Sequence, residues 1–290
     1  MRDVLTRHGR GELGGGMALV QLLLACRDPD ALRRELEGFA CGGEPTAASA
    51  SDLLRLLDHH GDRVPQLLDI VRADGVREAS SLETALEQLR RGYDAAVRTN
   101  AAASVALYSL GDPELLATAT EEAAALMAAL GVAAPGRHLL DVGCGIGRFE
   151  AALAGRVGSI TGVDLSPAMI ATARERCAGL ANVQLLETEG RDLAMFGDRT
   201  FDAVIAVDSV PYLYPAGGPD FARAQLDEMA RVTRPGGDLL VLNLSYRGDP
   251  ERDRADARAF AADLDLELLR CGTSDLRSWD GTTFHWRKRG

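Results

Sequence analysis

Three glycines at alternate positions, Gly143, Gly145 and Gly147, follow the apolar run Leu139-Leu140-Asp141-Val142, and a second run, Ile160-Thr161-Gly162-Val163, ends on Asp164. The pattern reads as a buried strand, a tight turn, a helix, a second strand and an acid. Small residues in such a turn let a ligand approach the backbone. Asp164 follows Gly143 by 21 positions, close to the roughly 20 at which a carboxylate meets the two hydroxyls of a ribose. The chemistry is that of a nucleotide pocket. Plain turn glycines and a surface acid capping the helix near Ser166-Pro167 are the alternatives, and their being in register favours the pocket.

The loop also restricts which nucleotide. A dinucleotide fingerprint needs its third glycine one position later, where helix and strand close over a pyrophosphate, and Arg148 stands there, followed by Phe149. The phosphate-loop pattern ending in Gly-Lys-Ser/Thr is absent, which argues against ATP hydrolysis. A nicotinamide oxidoreductase is therefore a distant reading.

Further segments follow at regular intervals: Val163-Asp164-Leu165-Ser166, Asn182 to Leu186, Glu189-Gly190-Arg191-Asp192-Leu193, Thr200 to Asp208, and Arg231 to Val241 with Pro235-Gly236-Gly237 at its turn. With the glycine turn, this ordered series resembles the class I S-adenosylmethionine-dependent methyltransferases over about residues 137 to 245. The resemblance implies S-adenosyl-L-methionine as cofactor. It implies cofactor contacts from Asp141, Gly143, Cys144, Gly145, Gly147, Asp164, Leu165, Met169, Glu189, Gly190, Arg191 and Asp208. It also implies methyl transfer by in-line displacement to a small-molecule acceptor. Transfer or cyclisation of the cofactor's aminocarboxypropyl arm, or a non-catalytic module that senses the cofactor, are the rival functions.

Several roles stay open. Glu189 stands where this family more often has aspartate, so Gly190 and Arg191 supply adenine contacts through their backbone whether or not the Glu189 side chain does. Asp208 and Tyr212 face the transferring methyl by resemblance, and a helix cap and a core tyrosine are the alternatives. Tyr108 is the aromatic residue that a helical N-terminal segment would lend to a sulfonium, where a cation is attracted to a π face; a core tyrosine is the alternative. Cys144 reads as a small turn residue rather than a catalytic thiol. His285 and Trp286, with Trp279-Asp280 before them, read as edge-strand packing.

The elements that must position these residues divide at about 131. Residues 1–131 read as an all-helical N-terminal domain that caps the site and selects substrate, with 1–15 a mobile tail and Cys41 to Thr46 a loop. Ser80 and Glu83 offer a capping box, and Asp112-Pro113 starts a helix that Gly131 ends. Residues 132–290 alternate strand and helix, which implies an α/β, Rossmann-like, seven-stranded, mostly parallel sheet with helices on both faces. Strands are expected near 138–143, 159–164, 183–187, 202–207 and 238–244, and helices near 147–155, 167–178, 219–233 and 251–263. Two last strands, 264–272 and 282–287, close the sheet with an antiparallel edge strand by resemblance. Ligands bind outside the carboxyl ends of such strands, where Gly143, Asp164, Glu189 and Asp208 all fall.

Composition narrows the partners. A net charge of −11 disfavours nucleic acid. Five scattered cysteines without a Cys-x-x-Cys pair read as reduced thiols of a cytoplasmic protein. The adjacent His59 and His60 give no zinc spacing, and no metal is expected. Met17 to Ala25 is apolar except for Gln21 and ends at Cys26 in the manner of a lipoprotein signal, but it is too short to span a membrane and reads as a core helix. Nothing in the pattern sets an oligomeric state.

Overall fold

A computed structural model of the chain describes residues 1–42, 45–73 and 79–290. Among the described residues, eight α-helices precede the sheet: α1 (Arg2–Gly9), α2 (Gly15–Cys26), α3 (Pro29–Cys41), α4 (Ala47–His60), α5 (Val64–Ala73), α6 (Leu82–Thr99), α7 (Ala101–Val105) and α8 (Pro113–Ala129). Two compact units result. One gathers α1 to α5 with Ala95–Glu122 and Leu276–Asp280; the other holds α6 up to Asp94, Ala123–Asp275 and Gly281–Gly290.

The helical unit is built on leucines. Leu19, Leu23, Leu32, Leu36, Leu53 and Leu57 fill its core, and α2 is the core helix its apolar run suggests. The mobile tail is corrected: residues 2–9 are helical, and Leu5 and Leu13 are buried in that core. His8 helps to fasten this segment, with one ring nitrogen 2.9 Å from the Leu13 carbonyl and the other 2.9 Å from Asp52. Two buried leucines offset the ordering of a glycine-rich stretch. Asp112 caps α8 as expected, accepting from the Glu114 N–H at 2.7 Å, with Pro113 in the first turn. At α6 the cap shifts by one: Ser81, not Ser80, accepts from the Thr84 N–H, and Glu83 turns to Arg191 at 3.6 Å. The Cys41–Thr46 loop is shorter than expected, since α3 runs through Cys41, and its Gly43 and Glu44 lie outside the described residues. Among the described residues, no helix is long and apolar enough to cross a membrane.

The other unit is a seven-stranded sheet. Its elements are β1 (His138–Val142), α9 (Arg148–Leu153), β2 (Ser159–Asp164), α10 (Pro167–Arg176), β3 (Val183–Glu187), β4 (Phe201–Val207), α11 (Leu213–Val232), β5 (Thr233–Leu242), α12 (Pro250–Asp263), β6 (Leu266–Ser274) and β7 (Thr282–Lys288). The strand order is β3-β2-β1-β4-β5-β7-β6, parallel throughout except for β7. Leu140, Val204, Leu239 and Val241 are fully buried, as strands covered on both faces require. Crossovers run outward from β1 in one direction and from β4 in the other, and right-handed connections of this kind put helices on both faces of a sheet.

The expectation of an antiparallel edge is corrected. The antiparallel strand, β7, lies between β5 and β6, and β6 forms the edge. Four consecutive residues of β7, Thr283 to Trp286, are buried, whereas β6 exposes Glu267 and Leu269. The strand buried on both faces takes the interior place. A second departure is in α11, which starts at Leu213 but breaks at Gly218 (φ 78°); Pro219 then opens the long segment foreseen over 219–233.

Candidate functional site

The strand order reverses between β1 and β4, so the crevice of this sheet opens at their carboxyl ends. The glycine turn fills one side of it. The N–H groups of Gly143 and Cys144 both donate to the Val163 carbonyl, at 2.8 and 3.0 Å. The Gly145 N–H donates to Oδ2 of Asp164 at 2.9 Å, and the Ser166 N–H donates to Oδ1 at 2.8 Å. Across the crevice, Ser209 donates its hydroxyl to the Val142 carbonyl at 2.6 Å. Backbone geometry accounts for two of the glycines. Gly143 has φ 83°, and a Cβ there would collide with the Ser209 side chain; Gly147 has φ 71°, and a Cβ would lie 2.9 Å from that of Ala173 on α10. What these two make room for in this structure is protein, leaving Gly145 as the glycine whose amide faces the acid.

Asp164 is buried rather than a surface cap; Ser166 caps α10, accepting from the Met169 N–H at 3.1 Å. Burial lifts the Asp164 carboxyl to about 6 against the pull of its backbone donors. The Leu165 N–H also bonds this carboxylate, so three backbone donors share its two oxygens and acceptor capacity remains for a further donor. Below the turn lies a second buried carboxyl, Asp141, lifted to about 7 by desolvation, neither of whose oxygens has a hydrogen-bond partner. Desolvation also raises the Cys144 thiol well above its ordinary value, with the charges of Glu150, Asp164 and Asp141 adding to it, so it stays neutral and is no nucleophile.

The opposite side is aromatic and polar. Asp208 ends β4 in the left-handed region (φ 56°), and Asn243 ends β5 likewise (φ 66°). Oδ1 of Asp208 accepts from Asn243 Nδ2 and from the Tyr246 hydroxyl, both at 2.6 Å. The Tyr212 ring stands edge-to-face with Tyr246 at 5.8 Å and with Tyr93 of α6 at 5.4 Å. Asn243, Tyr246 and Tyr93 escaped the sequence reading. A polar residue closing the apolar run Leu239 to Leu242 was a legible cue for Asn243; nothing local marked Tyr93. Asp94 was missed too: it accepts from the Ser166 hydroxyl at 2.6 Å and from the Ala168 N–H at 3.1 Å.

The remaining candidates sit around these. Met169 is buried in the first turn of α10, and Leu165 and Tyr212 both pack against the cluster of Leu86 and Leu89. Gly190 (φ 72°) lies against Leu86 and Leu165. The Glu189 side chain is exposed and 3.6 Å from Arg191. Tyr108 belongs to the helical unit, where its ring stacks on Trp279 at 5.1 Å. His285 is a structural residue at the amino ends of the strands, 2.9 Å from the buried Asp238 that also takes Arg137 and Arg287.

A doubly wound sheet with a glycine turn at its switch point and an acid ending the next strand defines a nucleotide-binding α/β domain. Comparison with known proteins names the kind. Residues 139–237 match the family described as a methyltransferase domain, so this part of the chain is a methyltransferase domain, of the kind whose cofactor is S-adenosyl-L-methionine. The chain is 30% identical over 177 residues to the demethylmenaquinone methyltransferase of Clavibacter sepedonicus, covering 61% of this chain and 63% of that one. It is 37% identical over 137 residues to the fatty-acid O-methyltransferase of Mycolicibacterium smegmatis, covering 46% and 45%. It therefore spans less than two thirds of either relative. Among solved structures, Haemonchus contortus phosphoethanolamine N-methyltransferase 1 shares the fold, with a TM-score of 0.51 and 14% identity over 72% of this chain and 50% of that one. The residues present fit the cofactor: Asp164 keeps acceptor capacity for ribose hydroxyls, and Asp141 is a buried acceptor lacking a donor.

Proposed function

We propose that this chain transfers the methyl group of S-adenosyl-L-methionine to a small-molecule acceptor. The observation that carries the reading is the Gly145–Asp164 hydrogen bond at the switch point, which joins the glycine turn and the acid into one preformed receptor. Asp164 would accept from the ribose hydroxyls. The backbone from Gly143 through Cys144 and Gly145 to Gly147, with Asp141, would hold the amino-acid end. Leu165, Met169 and Glu189-Gly190-Arg191 would flank the adenine. When bound, the cofactor supplies an electrophilic methyl on a sulfonium.

The protein's part is positioning and exclusion of water, which can lower a barrier by roughly 7–11 kcal/mol. Asp208 is suited to orienting an acceptor or receiving its proton, because Asn243 and Tyr246 fix its carboxyl. Tyr212, braced by Tyr93 and Tyr246, offers the acceptor an aromatic wall. In this reading residues 1–131 select the acceptor, with Tyr108 their aromatic candidate, and residues 132–290 hold the cofactor. The acidic balance supports a small molecule over nucleic acid, and free cysteines support a reducing, cytoplasmic setting.

The test is product analysis with labelled cofactor and pools of small phenols, amines and carboxylic acids. S-adenosylhomocysteine with a labelled acceptor is expected. Methylthioadenosine would instead mark transfer of the aminocarboxypropyl arm, and binding without turnover would mark a sensor. Tyr246→Phe should lower kcat several-fold, since the freed Asp208 loses one charge-assisted hydrogen bond worth about 1.5–3 kcal/mol at most, and should leave affinity for S-adenosylhomocysteine unchanged.

A further inference from the structure

Glu150, in α9, is fully buried, and neither of its carboxyl oxygens has a hydrogen-bond partner. Its carboxyl lies within hydrogen-bond reach of that of Asp141 on β1, and none of the four buried oxygens has an N–H or hydroxyl donor. The sheet makes space for this arrangement. Gly162 on β2 sits where a Cβ would collide with Oε1 of Glu150 and lie 2.9 Å from the Cys144 sulfur. Buried polar atoms without partners cost about 1–3 kcal/mol each, more when charged. Two adjacent buried carboxylates cannot both be ionised at such a cost, but one proton between them satisfies both groups.

We propose that Glu150 is a positioning residue for the cofactor site: it carries the shared proton and donates it as an O–H hydrogen bond to Asp141, which thereby remains an anion beneath the glycine turn. This rests on the cofactor reading above. The charges facing the pair come from every element around it: Arg148 and Asp164 toward Asp141, and Asp164, Cys144 and Cys177 toward Glu150. Cys144 and Cys177 are neutral thiols, both raised by burial, so they add no charge. Arg148 and the singly charged pair then cancel, and Asp164, with Asp94 acting on it from α6, keeps the site negative. S-adenosylmethionine, with a sulfonium, an ammonium and a carboxylate, carries one positive charge, whereas S-adenosylhomocysteine carries none. A second charge on the pair would upset that match, and none at all would remove the acceptor for the ammonium.

The experiment compares the wild type, Glu150→Gln and Glu150→Leu by calorimetry with S-adenosylhomocysteine and S-adenosylmethionine across pH, the ligands' own titration being common to all three. Glutamine keeps the donor, so Glu150→Gln should bind within about threefold of the wild type, whereas Glu150→Leu should lose about tenfold or more. Without its donor, Asp141 should protonate more readily, and the acidic limb of the Glu150→Leu profile should move to higher pH. An independent reading needs no ligand: at pH 8 the infrared spectrum of the wild type should contain the carbonyl stretch of a protonated buried carboxylic acid, and folded Glu150→Gln should lack it. The proposal is overturned if that band is missing from the wild type, if Glu150→Gln fails to fold, or if it is damaged as badly as Glu150→Leu. A wild type that shows the band but binds neither ligand would refute the cofactor reading and leave the shared proton standing.

Discussion

The amide of Gly145 donates to Oδ2 of Asp164 at 2.9 Å, across the gap between the turn after β1 and the end of β2. Two features recognised separately in the sequence are thus one hydrogen-bonded object. With Ser166 on the other oxygen, the carboxylate is oriented before any ligand arrives, and little ordering remains to be done on binding.

Replacing Asp164 should therefore harm binding more than folding. Asp164→Ala removes two ribose acceptors and the anchor of the Gly145 amide. S-adenosylhomocysteine affinity should fall about 10- to 100-fold, from charge-assisted hydrogen bonds worth about 1.5–3 kcal/mol. Calorimetry decides it, and undiminished affinity would reject the ribose role.

Acidity should act on the same group in two opposite ways. Burial raises its carboxyl from 3.8 to about 6, so between these values the native state holds a proton that the unfolded chain has released. The stability owed to this group is present at low pH and lost as pH rises through that window. Asp164→Asn, which has nothing to ionise, should match the wild type near pH 4 and gain on it above pH 6 in thermal unfolding. Binding runs the other way: wild-type affinity should drop below about pH 6 as the acceptor protonates, and Asp164→Asn should lack that limb.

Two glycines with similar backbones should differ in tolerance. Gly131 (φ 73°) has open space where a Cβ would go, whereas Gly143 (φ 83°) has Ser209. Gly131→Ala should cost about 1–2 kcal/mol for the left-handed conformation alone. Gly143→Ala adds a collision and should cost well beyond that, by about 1–3 kcal/mol of overpacking. Urea titration of both variants separates the contributions; equal costs would mean that Ser209 yields freely.

Asp238 should matter for stability and not for the site. It is buried at the amino ends of the strands; although desolvation pushes its carboxyl up, His285, Arg137 and Arg287 together hold it below the usual range. Asp238→Ala strands Arg137 and should cost about 3 kcal/mol or more, with S-adenosylhomocysteine affinity unchanged. Because the native value is depressed, this stabilisation is present at neutral pH and fades as acid approaches that value. A loss of binding in a folded variant would contradict the separation of the two ends of the sheet.

The parts legible beforehand were those set by local pattern. Apolar runs marked β1 to β5, and Asp112-Pro113 and Ser166-Pro167 marked helix starts through cap chemistry. The parts missed depended on partners distant in sequence. Leu5 and Leu13 sit in a glycine-rich, charged stretch, and only a core assembled from α2 to α4 shows that they are anchors. The place of β7 inside the sheet is decided by what covers Phe284 and Trp286. Asp208 was recognised by its position at a strand end, yet its partners Asn243 and Tyr246 lie 35 and 38 residues on. Glu150 escaped the sequence reading, because burial without a donor leaves no mark in a sequence.

The interior position of β7 has a consequence for assembly. Its pairing with β5 joins Leu242 to Thr283 and Asp238 to Arg287, so the right half of the sheet is stitched by a strand made long after the one it covers. Until that strand docks, Leu239 to Leu242 present a bare, sticky ribbon of unsatisfied peptide groups, the kind of surface on which unrelated chains pile up. Nascent or clipped forms ending before Thr282 would carry that hazard with them, and their solubility rather than their chemistry would be the first property to fail.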